Sequence, residues 1–168
     1  MAQEKMEILK IYEYALSREY EGKRFFEENA SRLSHAAAVN AFRQLAGEEQ
    51  KHIDFIQTQI DSLHKGLTGG SDYGVRLDQA GFFSQRAQSE SIDQTVAEAM
   101  VPDLPVLRMA YLIERDFAEF YENSAKSVSG EGKKVLEMLA KWERIHEALF
   151  KSFYDQAYAV YSQMPWGG

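Results

Sequence analysis

Two short segments of the sequence combine a carboxylate and an imidazole at the spacing of about one helical turn. Glu49 precedes His52 by three residues, and Glu143 precedes His146 by the same interval. Residues three apart lie on the same side of a helix, so each pair can bind one ion through a carboxylate oxygen and an imidazole nitrogen. Both pairs are therefore candidate metal ligands.

Two single acids, Glu19 and Glu114, stand in the middle of apolar helical stripes. The stripe around Glu19 consists of Ile8, Tyr12, Ala15, Gly22, Phe26 and Leu33, and the stripe around Glu114 consists of Leu107, Ala110, Phe117, Tyr121, Ser124 and Val128. A buried carboxylate is costly unless it is paired or binds a metal. We expect each single acid to complete the site with one of the Glu–His pairs.

The periodicity of apolar residues predicts four long helices that position these side chains. They cover about residues 3–31, 35–64, 104–128 and 132–162. The glycine-rich and polar segment 65–103 is too long for a tight turn, so we expect it to cross the molecule from one end to the other. Residues 1–168 are thus predicted to form a single all-α domain, a four-helix bundle made of two helix hairpins.

The crossover segment itself contains two weaker signals. Residues 75–86, with Phe82 and Phe83, are predicted to pack over the bundle, and residues 91–100 are predicted to form a short helix. Asp103 and Pro105 are suited to the start of the third long helix, as the N-cap and a first-turn residue.

An internal repeat relates the two predicted hairpins. Glu19 and Glu114 are 95 positions apart, and the two Glu–His pairs are 94 positions apart. Each hairpin therefore supplies one single Glu and one Glu–His pair, which predicts a bundle with approximate twofold symmetry and a site at its centre.

The composition restricts the chemistry of such a site. The absence of cysteine excludes disulfides, iron–sulfur clusters and zinc–thiolate sites, so any metal must be bound by carboxylates and imidazoles. The net charge of −7 argues against binding to nucleic acid. No apolar run approaches the length of a membrane span, and no signal peptide is recognisable, so we expect a cytoplasmic protein without membrane contact.

Four carboxylates and two imidazoles that converge on one core require compensating charge. Two divalent cations would supply it, and oxygen and imidazole ligands suit iron or manganese. We expect Glu49 and Glu143 to bridge the ions. Glu19 and His52 are expected to complete the coordination of one ion, and Glu114 and His146 that of the other. The alternative is an interaction module in which the acids form salt bridges. The basic residues considered as partners are Arg18, Arg24, Arg108 and Lys141.

Through these residues the chain resembles the rubrerythrin-type branch of the ferritin-like superfamily, in the form that lacks a rubredoxin domain. The residues that carry the resemblance are Glu19, Gly22, Phe25, Phe26, Glu49, His52, Glu114, Phe120, Tyr121, Glu143 and His146. The resemblance implies two iron ions, with manganese or a mixed pair as alternatives. It further implies reduction of hydrogen peroxide or dioxygen with electrons from an external donor protein. The four unbroken helices and the long connection favour a small oligomer, and we expect a homodimer. The ferritin branch suggests another function, an iron-binding protein with ferroxidase activity in iron handling or storage.

Three features depart from the pattern of that family. Phe117 stands where rubrerythrins carry an additional Glu, and Phe26 stands where the repeat would place a second Tyr equivalent to Tyr121. The lack of cysteine removes the rubredoxin iron site. Tyr121 is predicted to support the ligands without binding the metal. Glu48, which is one step away from the apolar stripe, is predicted either to support the ligands in the same way or to lie on the surface.

Overall fold

The long helices form two antiparallel hairpins in the computed structural model, which describes residues 2–67, 69–87 and 92–165. Helices α1 and α2 pack as the first hairpin, and α6 and α7 pack as the second. The helices are α1 (Ala2–Ala30), α2 (Ala36–His64), α3 (Asp72–Ala80), α4 (Phe83–Ala87), α5 (Gln94–Ala99), α6 (Leu104–Ala125) and α7 (Gly130–Gln163), with a 3₁₀ turn at Val101–Asp103. The all-α fold predicted from the sequence is confirmed.

Local signals explain where the long helices begin and end. The His35 side chain caps α2 by accepting a hydrogen bond from the amide of Ala37 at 3.1 Å. Helix α7 begins at Gly130, whose φ of +59° suits a residue without a Cβ at the sharp break. Helix α6 ends at Ala125, earlier than the predicted end near residue 128, because a turn closes there through Lys126 and Ser127.

The predicted N-cap residue of α6 forms its hydrogen bonds with another segment instead of with the helix. Asp103 occupies the N-cap position, but its side chain makes no capping hydrogen bond to α6. Instead both carboxylate oxygens accept hydrogen bonds from the amide of Ser34, at 2.9 and 3.0 Å. The buried Asp103 thus attaches the α1–α2 connection to the beginning of the second hairpin.

Apolar side chains form two clusters, one toward each end of the bundle. The first includes Ile8, Tyr12, Phe55, Ile56, Phe117, Leu136, Leu139 and Trp142. The second includes Phe26, Phe42, Leu45, Leu107, Leu149 and Phe150. Along each long helix, the single acid or the Glu–His pair lies between residues of one cluster and residues of the other, so the acids occupy the middle layer.

The crossover runs from the first cluster to the second, as predicted. It leaves α2 after Leu63 and reaches α6 near Leu107, at the opposite end of the bundle. On the way Phe82 is buried against the bundle. The predicted helix 91–100 is shorter and starts at Gln94, capped by the Asp93 carboxylate; residue 91 lies outside the described residues. Among the described residues, no helix is long and apolar enough to cross a membrane.

Candidate metal centre

The six predicted ligands meet in the middle layer and are removed from solvent. The exposed fraction is 0% for Glu19, Glu49, His52, Glu114 and Glu143, and 1% for His146. One ligand atom from each of Glu49, His52, Glu143 and His146 lies within 4.8 Å of the others, the arrangement expected of a metal-binding group. The structure therefore brings both Glu–His pairs to one point.

Glu49 and Glu143 each approach both histidines with different oxygens. Glu49 places Oε2 3.5 Å from Nδ1 of His52 and Oε1 3.1 Å from Nδ1 of His146. Glu143 places Oε1 2.9 Å from Nδ1 of His52 and Oε2 3.3 Å from Nδ1 of His146. A carboxylate that presents one oxygen to each of two imidazoles has the geometry of a bridge between two ions.

The single acids are divided between the two histidines. Oε2 of Glu19 lies 3.3 Å from Nδ1 of His52, and Oε2 of Glu114 lies 3.2 Å from Nδ1 of His146. Because these are the pairs expected at the two ends of the site, the geometry suits the predicted division of ligands. The Tyr121 hydroxyl donates a hydrogen bond to Oε1 of Glu19. Oε1 of Glu114 has no hydrogen-bond partner among the described residues.

Glu48 lies behind His146 and connects it to the crossover. Its Oε2 is 3.1 Å from Nε2 of His146 and accepts a hydrogen bond from the Ser84 hydroxyl at 2.7 Å. Its Oε1 accepts hydrogen bonds from the amides of Phe83 and Ser84 in α4. An acceptor at Nε2 keeps the proton there and directs Nδ1 toward the site, the usual support for a metal-binding histidine.

His52 lacks an equivalent acid. The residue that corresponds to Glu48 in the repeat is Trp142, whose ring stacks on His52 with centroids 5.1 Å apart and an interplanar angle of 19°. Nε2 of His52 is buried without a hydrogen-bond partner among the described residues. The two ends of the site therefore share their ligand types but differ in their surroundings.

The electrostatics of the site reflect crowding of acids in an apolar layer. Burial raises the pKa of Glu19 and of Glu114, and the charges of Glu49 and Glu143 raise both further. Burial alone lowers the pKa of an imidazole, but the surrounding carboxylates outweigh it, so the pKa of His52 and of His146 is raised. Without metal, protons on these groups offset part of the buried negative charge.

Buried carboxylate oxygens without hydrogen bonds indicate whether these residues suit metal ions. Both carboxylate oxygens of Glu49 and of Glu143 lie at ion-pair distance from a histidine but form no hydrogen bond among the described residues. Buried carboxylate oxygens are normally hydrogen-bonded, so this arrangement is expensive without a cation. The donor set of four carboxylates and two Nδ1 atoms fits a pair of divalent ions.

The basic residues considered as salt-bridge partners for the buried acids lie elsewhere. Arg18 pairs with Glu21, Arg24 with Glu28, and Lys141 with Asp78. Arg108 is exposed on α6. The described contacts of the four acids are with the histidines and Tyr121, so these cations do not neutralise the site.

Two contributions to the site were not predicted from the sequence. Ser84 reaches Glu48 from the crossover, and Trp142 reaches His52 from α7. The repeat contained a signal for Trp142, because it aligns with Glu48. Ser84 gave none, since its position depends on how the irregular crossover packs.

Comparison with known proteins gives one match. A family model described as rubrerythrin covers residues 7–154, which is most of the chain and includes every residue of the site. Neither a curated protein nor a solved structure matches significantly.

Proposed function

Since the chain belongs to the rubrerythrin family, we propose that it is a non-haem di-iron oxidoreductase that reduces hydrogen peroxide or dioxygen. The observation that carries the proposal is the layer of four fully buried glutamates and two histidines, in which both carboxylate oxygens of Glu49 and of Glu143 form no hydrogen bond among the described residues. When bound, a pair of iron ions supplies electrons to the oxidant and electrostatic stabilisation to the reduced oxygen. An external donor protein would restore the electrons, because the chain has no cysteine to bind a rubredoxin-type electron-transfer iron.

The side chains have separate tasks in this proposal. Glu49 and Glu143 would hold both ions, while Glu19 with His52 and Glu114 with His146 would hold one ion each. Tyr121 donates to Glu19 and restrains that carboxylate. Glu48 holds the proton at Nε2 of His146 and leaves Nδ1 free to bind. The apolar clusters above and below exclude bulk water, which strengthens these interactions.

The test starts from protein that is loaded with ferrous iron under anaerobic conditions. This protein is mixed with hydrogen peroxide, and in a second series with dioxygen, while absorbance reports oxidation of the iron. We expect oxidation much faster than that of free ferrous iron, and loss of this advantage in Glu49→Gln. The matched control is Glu137→Gln, which changes an exposed acid on α7. Equal rates for bound and free iron would refute the oxidoreductase.

The same experiments separate the two other functions considered. Oxidised iron that leaves the site and accumulates in a large hollow shell, detected by light scattering, would establish ferroxidase and storage activity. A protein that sizes as a monomer or dimer excludes storage. Fewer than one bound transition metal per chain after loading would instead support an interaction module.

A further inference from the structure

A continuous stack of rings leads out of the candidate metal centre. His146 and His52 stack with centroids 5.2 Å apart and an interplanar angle of 10°, and Trp142 stacks on His52 with centroids 5.1 Å apart and an interplanar angle of 19°. Trp142 is 1% exposed. A side chain that can be oxidised by one electron is therefore in contact with a predicted ligand and shielded from water.

Asp78 gives the indole a negatively charged partner. Nε1 of Trp142 donates a hydrogen bond to Oδ1 of Asp78 at 3.3 Å, across the boundary between α7 and the crossover helix α3. Lys141 donates to the other oxygen at 2.8 Å. This hydrogen bond lowers the pKa of Asp78, so the carboxylate stays ionised at neutral pH. A positive charge on the indole would thus be stabilised by an adjacent anion.

The surroundings suit a group that loses an electron and recovers it. Phe82 and Phe55 enclose the indole at centroid distances of 5.2 and 5.4 Å, which limits access of water to an oxidised ring. Beyond Phe55, Tyr73 lies at 6.0 Å and is half-buried at the surface of α3. Lys141 and Asp78 also reach solvent on this side, so an external donor can approach here.

We propose that Trp142 is a one-electron donor to the metal centre. It supplies an electron when reduction of the oxidant needs more electrons than the iron pair can give. This inference rests on the proposed oxidoreductase function. It assigns Trp142 and Asp78 a role in the reaction beyond packing.

Full reduction of dioxygen to water needs two more electrons than a ferrous pair gives on becoming ferric. Trp142 passes one electron to the centre and becomes a radical cation, which keeps its Nε1 proton in the hydrogen bond to Asp78. The external one-electron donor supplies the other missing electron, and a further electron from the same donor returns Trp142 to its neutral form.

The main experiment looks for the radical directly. Reduced, iron-loaded protein is mixed with excess dioxygen without a donor, frozen within milliseconds and measured by electron paramagnetic resonance. We expect an organic radical in the unchanged protein and a yield lower by about tenfold or more in Trp142→Phe. Trp166→Phe is the matched control, because position 166 carries the only other tryptophan of the chain and lies outside the described residues.

A second variant keeps the stack intact. Asp78→Asn preserves the size of the side chain and removes its charge, so the radical yield should again fall by about tenfold. Its control is Asp155→Asn, which changes an exposed acid paired with Lys151 on α7. Metal content and circular dichroism establish that each variant folds and binds iron. Peptide mass spectrometry after repeated oxidation should find oxygen added to the ring at position 142.

The outcomes separate this inference from the proposed function. A radical yield in Trp142→Phe equal to that in Trp166→Phe overturns the inference, as does oxidation of the iron without a radical or ring oxidation in the unchanged protein. If the iron is not oxidised faster than free iron, the proposed function fails. Flash-quench oxidation of metal-free protein by a dissolved ruthenium complex then shows whether Trp142 can be oxidised independently of the metal. A Trp142 radical weakened by Asp78→Asn confines the failure to the metal chemistry, and its absence overturns the role of Trp142.

Discussion

At the scale of single residues, the site is asymmetric despite the repeat. Glu48 supports His146 through Nε2, whereas His52 has an aromatic neighbour and an unpartnered Nε2. A carboxylate behind an imidazole orients the ring and raises its basicity, which strengthens metal binding. We infer that the ion held by Glu114 and His146 binds more tightly than the ion held by Glu19 and His52.

Replacement of Glu48 by glutamine tests this asymmetry. Glu48→Gln should weaken binding of the first metal ion by about 10-fold to 100-fold, because the amide is a poorer acceptor for the Nε2 proton. Competition with a chelator measures the affinity of each ion. The control Glu27→Gln changes an exposed acid on α1 and should leave both affinities unchanged. An unaltered first affinity in Glu48→Gln would contradict the role assigned to Glu48.

Metal binding should depend on pH, because the pKa of both imidazoles is raised. His52 and His146 therefore hold protons near neutral pH in the metal-free protein, and an incoming ion must displace them. The affinity rises with pH, and we expect release of at least two protons per pair of ions, because the pKa of Glu19 and of Glu114 is raised as well. Calorimetry in buffers of different ionisation enthalpy counts these protons. Binding that is independent of pH between about 6 and 8 would show that the imidazoles are already neutral.

At the scale of secondary structure, the crossover is part of the site because α3 and α4 supply contacts to it. Helix α4 provides the donors that hold Glu48, and α3 provides Asp78 to Trp142. Helix α3 can approach the bundle because Gly74 has no side chain. A Cβ at position 74 would lie 2.2 Å from Sδ of Met138 and 2.8 Å from Cζ of Phe55.

The substitution Gly74→Ala should therefore push α3 away from α2 and α7. We expect a loss of about 1–3 kcal/mol in the free energy of unfolding, as for other overpacked contacts. Gly70→Ala is the control, because a Cβ there meets nothing within 4 Å and φ is not positive. Denaturant unfolding gives the loss, and hydrogen exchange should show faster exchange in α3. Equal stability of the two variants would mean that α3 does not pack closely on the bundle.

At the scale of the whole molecule, the middle layer weakens the metal-free fold. Two apolar clusters stabilise the ends of the bundle, while buried acids repel one another between them. Bound cations would offset this repulsion, and the converging ligands exist only in the folded chain, so metal should stabilise the whole bundle.

Metal loading should raise the melting temperature by about 10 °C. This corresponds to free metal at about a thousand times its dissociation constant, in a chain of this length. Calorimetry with and without a chelator measures the shift. In Glu143→Gln the shift should largely disappear, because one bridging carboxylate is lost. A melting temperature that a chelator does not change would contradict metal binding in the core.

The sequence by itself determined the all-α fold, the long crossover and the six buried residues of the site. The helices and the buried residues follow from local periodicity, because a Glu in register with apolar neighbours must enter the core of a helix bundle. The crossover follows from the length of the glycine-rich segment between the hairpins. The repeat added the correspondence between hairpins, which identified Glu19 and Glu114 as equivalent positions.

The tertiary structure decided which oxygen faces which nitrogen, and which residues stand behind the histidines. Ser84, Asp78 and Trp142 reach the site through contacts between segments far apart in sequence, and helical periodicity carries no information about such contacts. The irregular crossover contains no repeating pattern that would place its side chains. Its packing on α2 and α7 makes the two ends of a repeated site different from each other.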